Sequence, residues 1–259
     1  MTGATFGQVA LIARRSIRRT LRQPALIVPT IVFPLLLLAV NASGLTATTK
    51  IPGFPTDSYL DFALVVTFIQ GGLFAATTAG TELANDIETG FLNRLALTPM
   101  RGVAILIGQL AGAVTVALIA AITYLAVGLL AGASLEAGVG GVVVLLALAV
   151  FVAIGFGAVG SLMAVRAGSA EAVQGLFPLL FVLFFLSSMN LPRNLISIDW
   201  FRTVATWNPI SYLIEGMRSL VISGWDPTAL LRGFGVAGAI AVLSFAAATA
   251  ALRTRLTRT

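Results

Sequence analysis

"TELANDIETGFLNRLALTP", residues 81–99, is the longest polar interruption in the first two-thirds of a chain that otherwise reads almost entirely as oil. Leu83, Ile87, Phe91 and Leu95 fall four apart, and Ala84 and Leu92 widen that stripe, so the stretch predicts an amphipathic helix. Its other side offers Glu82, Asn85, Asp86 and Asn93, and Thr98-Pro99 predicts the stop, because proline lacks the backbone donor that a continuing helix needs. A connector lying on the lipid surface is the plainer reading. Against it, a cytoplasmic segment resting on anionic lipid is ordinarily basic, and this one is acidic.

The surrounding sequence places this joint in a membrane. Of 259 residues 58% are hydrophobic and 10% charged, and the mean hydropathy is +0.99, which is the composition of a membrane protein. A hydrocarbon core roughly 30 Å thick takes about 20 apolar residues per helix, so the length predicts six spans with modest loops and no separate soluble domain. Cysteine and histidine are both absent. That excludes disulfides, thiol nucleophiles, imidazole acid–base work and the two best zinc ligands. The net charge of +6 gathers near the ends, which suits anionic headgroups rather than nucleic acid.

Working outward, the apolar stretches lie at about 25–45, 61–80, 102–131, 139–164, 172–190 and 228–251, each long enough to cross. The fifth is the clearest, with Leu176, Phe177 and the run from Leu179 to Leu186. The third is overlong and predicts tilt or projection beyond the bilayer. Six crossings leave both ends on one side, and basic residues are retained in the cytoplasm. Arg14, Arg15, Arg18, Arg19 and Arg22 at one end and Arg253, Arg255 and Arg258 at the other therefore assign both termini there, along with 81–101 and 165–171. Lys50, Arg193, Arg202, Arg218 and Arg232 fall outside.

Residues 1–24 read as a cytoplasmic amphipathic interface helix ahead of a transmembrane domain at 25–259. Phe6, Ala10, Ala13, Ile17 and Leu21 line one side and the five arginines mostly the other, with Leu11 breaking the pattern. The arginines serve topology, partner docking, or both. They follow a weakly apolar run, the reverse of signal-peptide order. Residues 191–227 are too polar for lipid and too apolar for a free loop, which predicts a short re-entrant or interfacial pair of helices holding Trp200, Trp207 and Trp225 at the headgroup boundary. Ile210, Leu213, Ile214, Met217 and Val221 form one face there, and Glu215 can pair with Arg218. A seventh span at about 204–222 is the alternative. It would move the tail outside.

Transport needs energy, and no phosphate-binding loop is present, since Lys50 is the only lysine and its surroundings, "TATTKIPG", are not a P-loop. The span interiors hold no central acid or base either: Asp61, Glu136, Glu171 and Arg232 fall at edges, and Gln70 and Gln109 are neutral. Energy is therefore expected from a partner. An ion-coupled carrier or channel acting alone is the alternative, and a non-transporting scaffold a third. Gly108 with Gly112, and Gly128 with Gly132, are spaced for close helix approach.

These features together resemble the permease subunits of the ABC-2 type of ATP-driven transporter, particularly the daunorubicin-resistance-like drug exporters. In that family the segment between spans 2 and 3 reads Glu-x-Gly-Thr-Leu-Glu-x-Leu-x-x-Thr-Pro, matched here by Glu88, Gly90, Leu92, Leu95, Thr98 and Pro99. Phe91 and Asn93 depart from it, so no contact through a carboxylate at 93 carries over. Before the last span the family shows Asn-Pro, a hydroxyl residue, an acid and an arginine, as in Asn208, Pro209, Ser211, Glu215 and Arg218. The resemblance implies an all-α fold of six spans and a dimer in a bacterial cell membrane, each copy docked on a separate ATP-binding subunit that carries the ATP and magnesium. This chain would bind no cofactor itself. Glu82 and Asp86 together with the matched residues of 88–99 would form the coupling surface. Gln70, Phe74, Thr77, Phe177 and Phe181 would line a path for an amphiphilic drug-like, lipid-linked or glycan-linked cargo.

Overall fold

The computed structural model describes residues 3–97, 100 and 102–256, and among these every regular element is helical. In chain order the α-helices are α1 (Gly3–Leu21), α2 (Pro24–Gly44), α3 (Tyr59–Glu88), α4 (Phe91–Ala96) and α5 (Gly102–Leu130). They continue as α6 (Gly138–Ala167), α7 (Ala170–Phe185), α8 (Asp199–Trp207), α9 (Pro209–Arg218) and α10 (Pro227–Leu256). Five of them, α2, α3, α5, α6 and α10, are long and apolar enough to cross a membrane, and they coincide with five of the six expected stretches. The expected stop at Thr98-Pro99, and Arg258, lie outside the described residues.

Helix α3 is the hub, buried along most of its length and packed by α2, α5, α6, α7 and α9. Lipid tails are as apolar as leucine, so spans associate through close packing rather than through the hydrophobic effect. The α3–α6 contact shows how close that packing is. A Cβ on Gly160 would stand 1.8 Å from the Ala76 carbonyl oxygen, and one on Gly80 would stand 2.8 Å from the carbonyl oxygen of Gly160. Of the second glycine pair in α5 and its turn, Gly128 receives Leu64, whereas Gly132 turns the chain at φ 97 with nothing near it, so those two do not form a packing pair.

Backbone groups that proline or unwinding leaves without helical partners find donors on side chains. Pro34 inside α2 cannot donate to the Thr30 carbonyl, and the Tyr124 hydroxyl of α5 does so instead. Helix α7 is the larger case. It has 16 residues, about 24 Å of rise against a core of roughly 30 Å, and it stops at Phe185, short of the expected boundary at 190. Its course still runs from one end of α3 to the other, because Ala170 N donates to Glu88 (3.0 Å) and the Tyr59 hydroxyl donates to the Asn190 carbonyl (3.1 Å). The Asn208 amide donates to the carbonyls of Leu183 and Leu186, and Arg218 to those of Ser188 and Met189. Inside a bilayer, unwound backbone persists only where protein groups satisfy it.

The two short helices expected in 191–227 are present as α8 and α9, of 9 and 10 residues, followed by a π-helical turn at Ser219–Ser223. No single helix covers 204–222. Asn208 is extended (φ −73°, ψ 118°), its side chain caps α9, and Pro209 follows in the first turn, so the seventh-span alternative falls. Ile210, Leu213, Ile214, Met217 and Val221 are all buried as one face, and the three tryptophans are exposed. The expected pairing of Glu215 with Arg218 is not formed. Arg193 takes Glu215 through two hydrogen bonds of 2.7 and 2.5 Å, a bidentate geometry that Arg218 forgoes by pointing at backbone carbonyls.

Candidate functional site

The polar stretch 81–99 is not one helix. Its first half is the last two turns of α3, and Gly90, at φ 68, turns the chain before the six-residue α4. Glu82 and Asp86 fall four apart on α3 and are 1% and 2% exposed, so the face expected to meet solvent is turned inward. The reason is α1. Arg15 donates to both carboxylate oxygens of Asp86 at 2.8 Å, Arg19 adds a third contact at 2.8 Å, and the Gln109 amide of α5 a fourth. Glu82 accepts from the hydroxyls of Thr20 (2.5 Å) and Ser16 (3.2 Å). Hydrogen bonding to Asp86 raises the Arg15 guanidinium above its ordinary value, against partial burial that lowers it.

Helix α1 reaches this position because α5 has no side chains in its way. A Cβ on Gly108 would meet the Ile12 Cβ at 2.6 Å, and one on Gly112 would meet Thr20 Oγ1 at 2.3 Å. The buried face of α1 is therefore Ile12, Ser16 and Thr20, not the expected Phe6–Leu21 stripe, whose Phe6, Ala10 and Leu21 are exposed. The five arginines also divide. Arg15 and Arg19 engage Asp86, while Arg14, Arg18 and Arg22 are exposed.

One contact ties α4 to α1, and a second ties the end of α3, just before α4, to α7. The Arg15 guanidinium lies 3.8 Å from the Phe91 ring centroid, joining α4 to α1 by a cation–π contact. Glu88, exposed at the end of α3, accepts from the first amide of α7, where a carboxylate also suits the helix dipole. Leu92 is buried and Leu95 partly so, packed with Leu83, Ile87, Ile105 and Leu252. What α4 presents outward is Asn93, Arg94 and, just after it, Leu97. Thr98 and Pro99 fall in the part not described. Sequence reasoning missed Ile12, Ser16, Thr20 and Gln109. Their signal was the i, i+4, i+8 spacing on α1 facing Gly108-x-x-x-Gly112 on α5.

Four of the five expected path residues converge. Phe74, Phe177 and Phe181 form a chain of rings with centroids 5.2 and 4.7 Å apart, and Phe33 of α2 meets Phe74 and Phe181 edge-on. Phe74, Thr77 and Phe177 line a cleft of about 390 Å³ between α2, α3 and α7, together with Thr78, Thr81 and Gln174. Gln70 sits one turn up α3, fully buried, and its amide oxygen has no hydrogen-bond partner among the described residues.

At the other end of α3, Arg218 also donates to the Phe62 carbonyl and lies 3.5 Å from that ring's centroid. Arg193 stacks on Tyr212. Burial lowers the Arg193 guanidinium, but the Glu215 carboxylate more than offsets this and holds it above its ordinary value. Asn208 and Arg218 thus fasten the α8–α9 segment to α3, to α7 and to the stretch after α7, Pro209 starts α9, and Glu215 holds Arg193 of the preceding loop.

The pattern of the ABC-2 type transporter family matches residues 7–222, which contain the α1–α3–α5 junction, α4 and the Asn208–Arg218 segment. The chain belongs to this family. ABC-2 permeases are membrane transport subunits that work with ATP-binding subunits, typically as dimers. A daunorubicin resistance ABC transporter permease protein, DrrB1, of Streptomyces coeruleorubidus is 30% identical over 174 residues, which are 64% of this chain and 59% of that protein. The chain therefore spans about three-fifths of that relative's length, and by family and by its five long apolar helices it is a multi-pass membrane protein.

Proposed function

We propose that this ABC-2 permease is the membrane subunit of an ATP-driven exporter of an amphiphilic molecule, drug-like, lipid-linked or glycan-linked. It works as a dimer in a bacterial cell membrane with each copy docked on an ATP-binding subunit. In this reading the chain crosses six times, with α7 and its unwound tail as the fifth crossing and both termini in the cytoplasm. Helix α1 lies at the inner interface, and α8 and α9 re-enter from the outer side. Helix α4 is where the ATP-binding subunit takes hold, and ATP and magnesium stay on that partner.

The observation that carries this is that α4 leaves the end of α3 between two ties, Arg15 of α1, which lies over Phe91 of α4 and holds Asp86 of α3, and Glu88 at the end of α3, which accepts from the first amide of α7. A push on α4 would reach α1, and through Arg15, Arg19 and Asp86 the lower end of α3, without a flexible link between. The cleft between α2, α3 and α7, with rings at one end and hydroxyls at the other, suits an amphiphile and opens between the two spans with the most exposed faces near it, α2 and α7.

Co-expression with the ATP-binding subunit, followed by reconstitution, tests the reading. Glu88→Ala is expected to leave insertion and ATP hydrolysis in place and to lower cargo movement per ATP severalfold, because the α7 amide loses its acceptor. Ion-driven uptake by the lone chain in vesicles, with no stable association with an ATPase, would overturn it.

A further inference from the structure

We propose that the hollow between the last turns of α6 and α10 holds the headgroup of an anionic phospholipid, drawn from the leaflet on the α1–α4 side. The inference does not depend on transport. It requires only that α6 and α10 cross the bilayer, as their length and hydropathy allow.

The two helices end together, and their ends are joined. Arg255, in the last turn of α10, donates to the Val165 carbonyl near the end of α6 at 2.9 Å. Gly168, which closes α6 at φ 74, makes room for it, since a Cβ there would lie 3.2 Å from both terminal nitrogens of the guanidinium. One cation is thereby held across the helix pair. Beside it lies a hollow of about 620 Å³, lined by Arg166 and Arg255, by Thr254, and by Ala247, Ala250 and Ala251. Both charged residues of that lining are cationic.

Arginines near helix C-termini are expected in any case, because they offset the helix dipole and satisfy terminal carbonyls. That reason would place them there but would not leave a hollow between them. The alanines do. Leu243, Ala247, Ala250 and Thr254 follow one another at i, i+4, i+7 and i+11 down one face of α10, and Leu243 is 71% exposed. This is a lane that begins in apolar surface, becomes shallow where side chains shrink to methyl groups, and ends at a hydroxyl and two guanidiniums. An acyl chain, a glycerol backbone and a phosphate present the same order of chemistry along about the same path. Basic pockets between spanning helices on the cytoplasmic side are recognised sites for anionic headgroups, and guanidinium–phosphate contacts are among the stronger charge-assisted hydrogen bonds.

Native mass spectrometry and thermal unfolding of the full chain in phosphatidylcholine detergent micelles, titrated with phosphatidylglycerol, test this. Arg166→Gln is the main variant because Arg166 is exposed, whereas Arg255 also ties α6 to α10. Wild type is expected to retain phosphatidylglycerol over phosphatidylcholine. Arg166→Gln should weaken that retention about fivefold, from the worth of one basic residue near an anionic surface, and Arg166→Lys should restore most of it. Arg253→Gln, an equal loss of charge outside the lining, should change nothing. Equal weakening by Arg253→Gln would reduce the effect to diffuse surface charge and overturn the proposal. So would wild type that retains the two lipids equally, or inorganic phosphate that reproduces the thermal shift.

Discussion

At the α4 end of α3, two carboxylates meet guanidiniums and hydroxyls carried on a separate helix, whereas at the α9 end the Arg218 guanidinium is held by the backbone carbonyls of Phe62, Ser188 and Met189. Both ends bury charge, but they differ in what separation would leave behind. If α1 drew away from α3, Arg15 and Arg19 would find water easily, since their side chains are already 36% and 26% exposed. If Arg218 withdrew, the Ser188 and Met189 carbonyls, which belong to no helix, would lose their donor, while the Phe62 carbonyl would keep its place in the α3 ladder. The α4 end is thus built as a joint between bodies, and the α9 end as a fixed clasp. The proposed exporter, driven from the α4 side, would need that asymmetry.

The strongest way to break the comparison is to remove the clasp. Arg218→Met keeps the apolar stem and deletes every donor, and at about 1–3 kcal/mol for each of the two non-helical acceptors left unsatisfied the loss is about 2–6 kcal/mol. Little monodisperse protein should survive size-exclusion chromatography after heating, and Arg218→Lys should recover part of it. A stable Arg218→Met protein would mean that the α9 end is no clasp.

Next is the seat of α1. Gly108→Val puts a branched side chain where the Ile12 Cβ already stands 2.6 Å from a hypothetical Cβ, and the neighbour is not the free end of a flexible chain. Overpacking of this kind costs about 1–3 kcal/mol. The expected readout is selective: proteolysis within residues 3–21 should quicken while the remaining helices keep their thermal transition. A uniform loss of stability would show that α1 is part of one body with α3 and α5.

Much of this was legible in the sequence, and the failures have physical causes. Five spans and the pair α8–α9 follow from hydropathy and from Asn208-Pro209, because lipid leaves few alternatives for an apolar run or a proline. The inward turn of Glu82 and Asp86 was not legible, since a helical wheel separates polar from apolar but does not say whether the polar side meets water or another helix. Their partners were hidden for the same reason: Ser16 and Thr20 look like minor interruptions among arginines until Gly108 and Gly112 are set opposite them. The early end of α7 was missed because hydropathy counts side chains, and what stops the helix is the supply of donors from Asn208 and Arg218.

A smaller effect tests whether the joint is held by charge or only by fit. In a double-mutant cycle of Arg15→Ala and Asp86→Ala, the coupling is expected at about 1 kcal/mol, reduced from buried-pair values because Arg15 is partly hydrated and Arg19 stays in place. Strict additivity would mean that the Arg15–Asp86 charge pair adds nothing, leaving the glycine seat and the hydroxyls of Ser16 and Thr20 to hold α1.

The smallest expected change lies on α7, the helix that runs between the two ends. Gly175 has nothing within 4 Å of where its Cβ would stand and occupies ordinary helix. Gly175→Ala should therefore remove only the backbone freedom of the unfolded chain and stabilise by about 0.4–1 kcal/mol, read as a small rise in the thermal midpoint. A fall instead would mean that something outside this chain approaches α7 at that point. The first suspect would be the second copy of the proposed dimer, seated on the exposed face of α7.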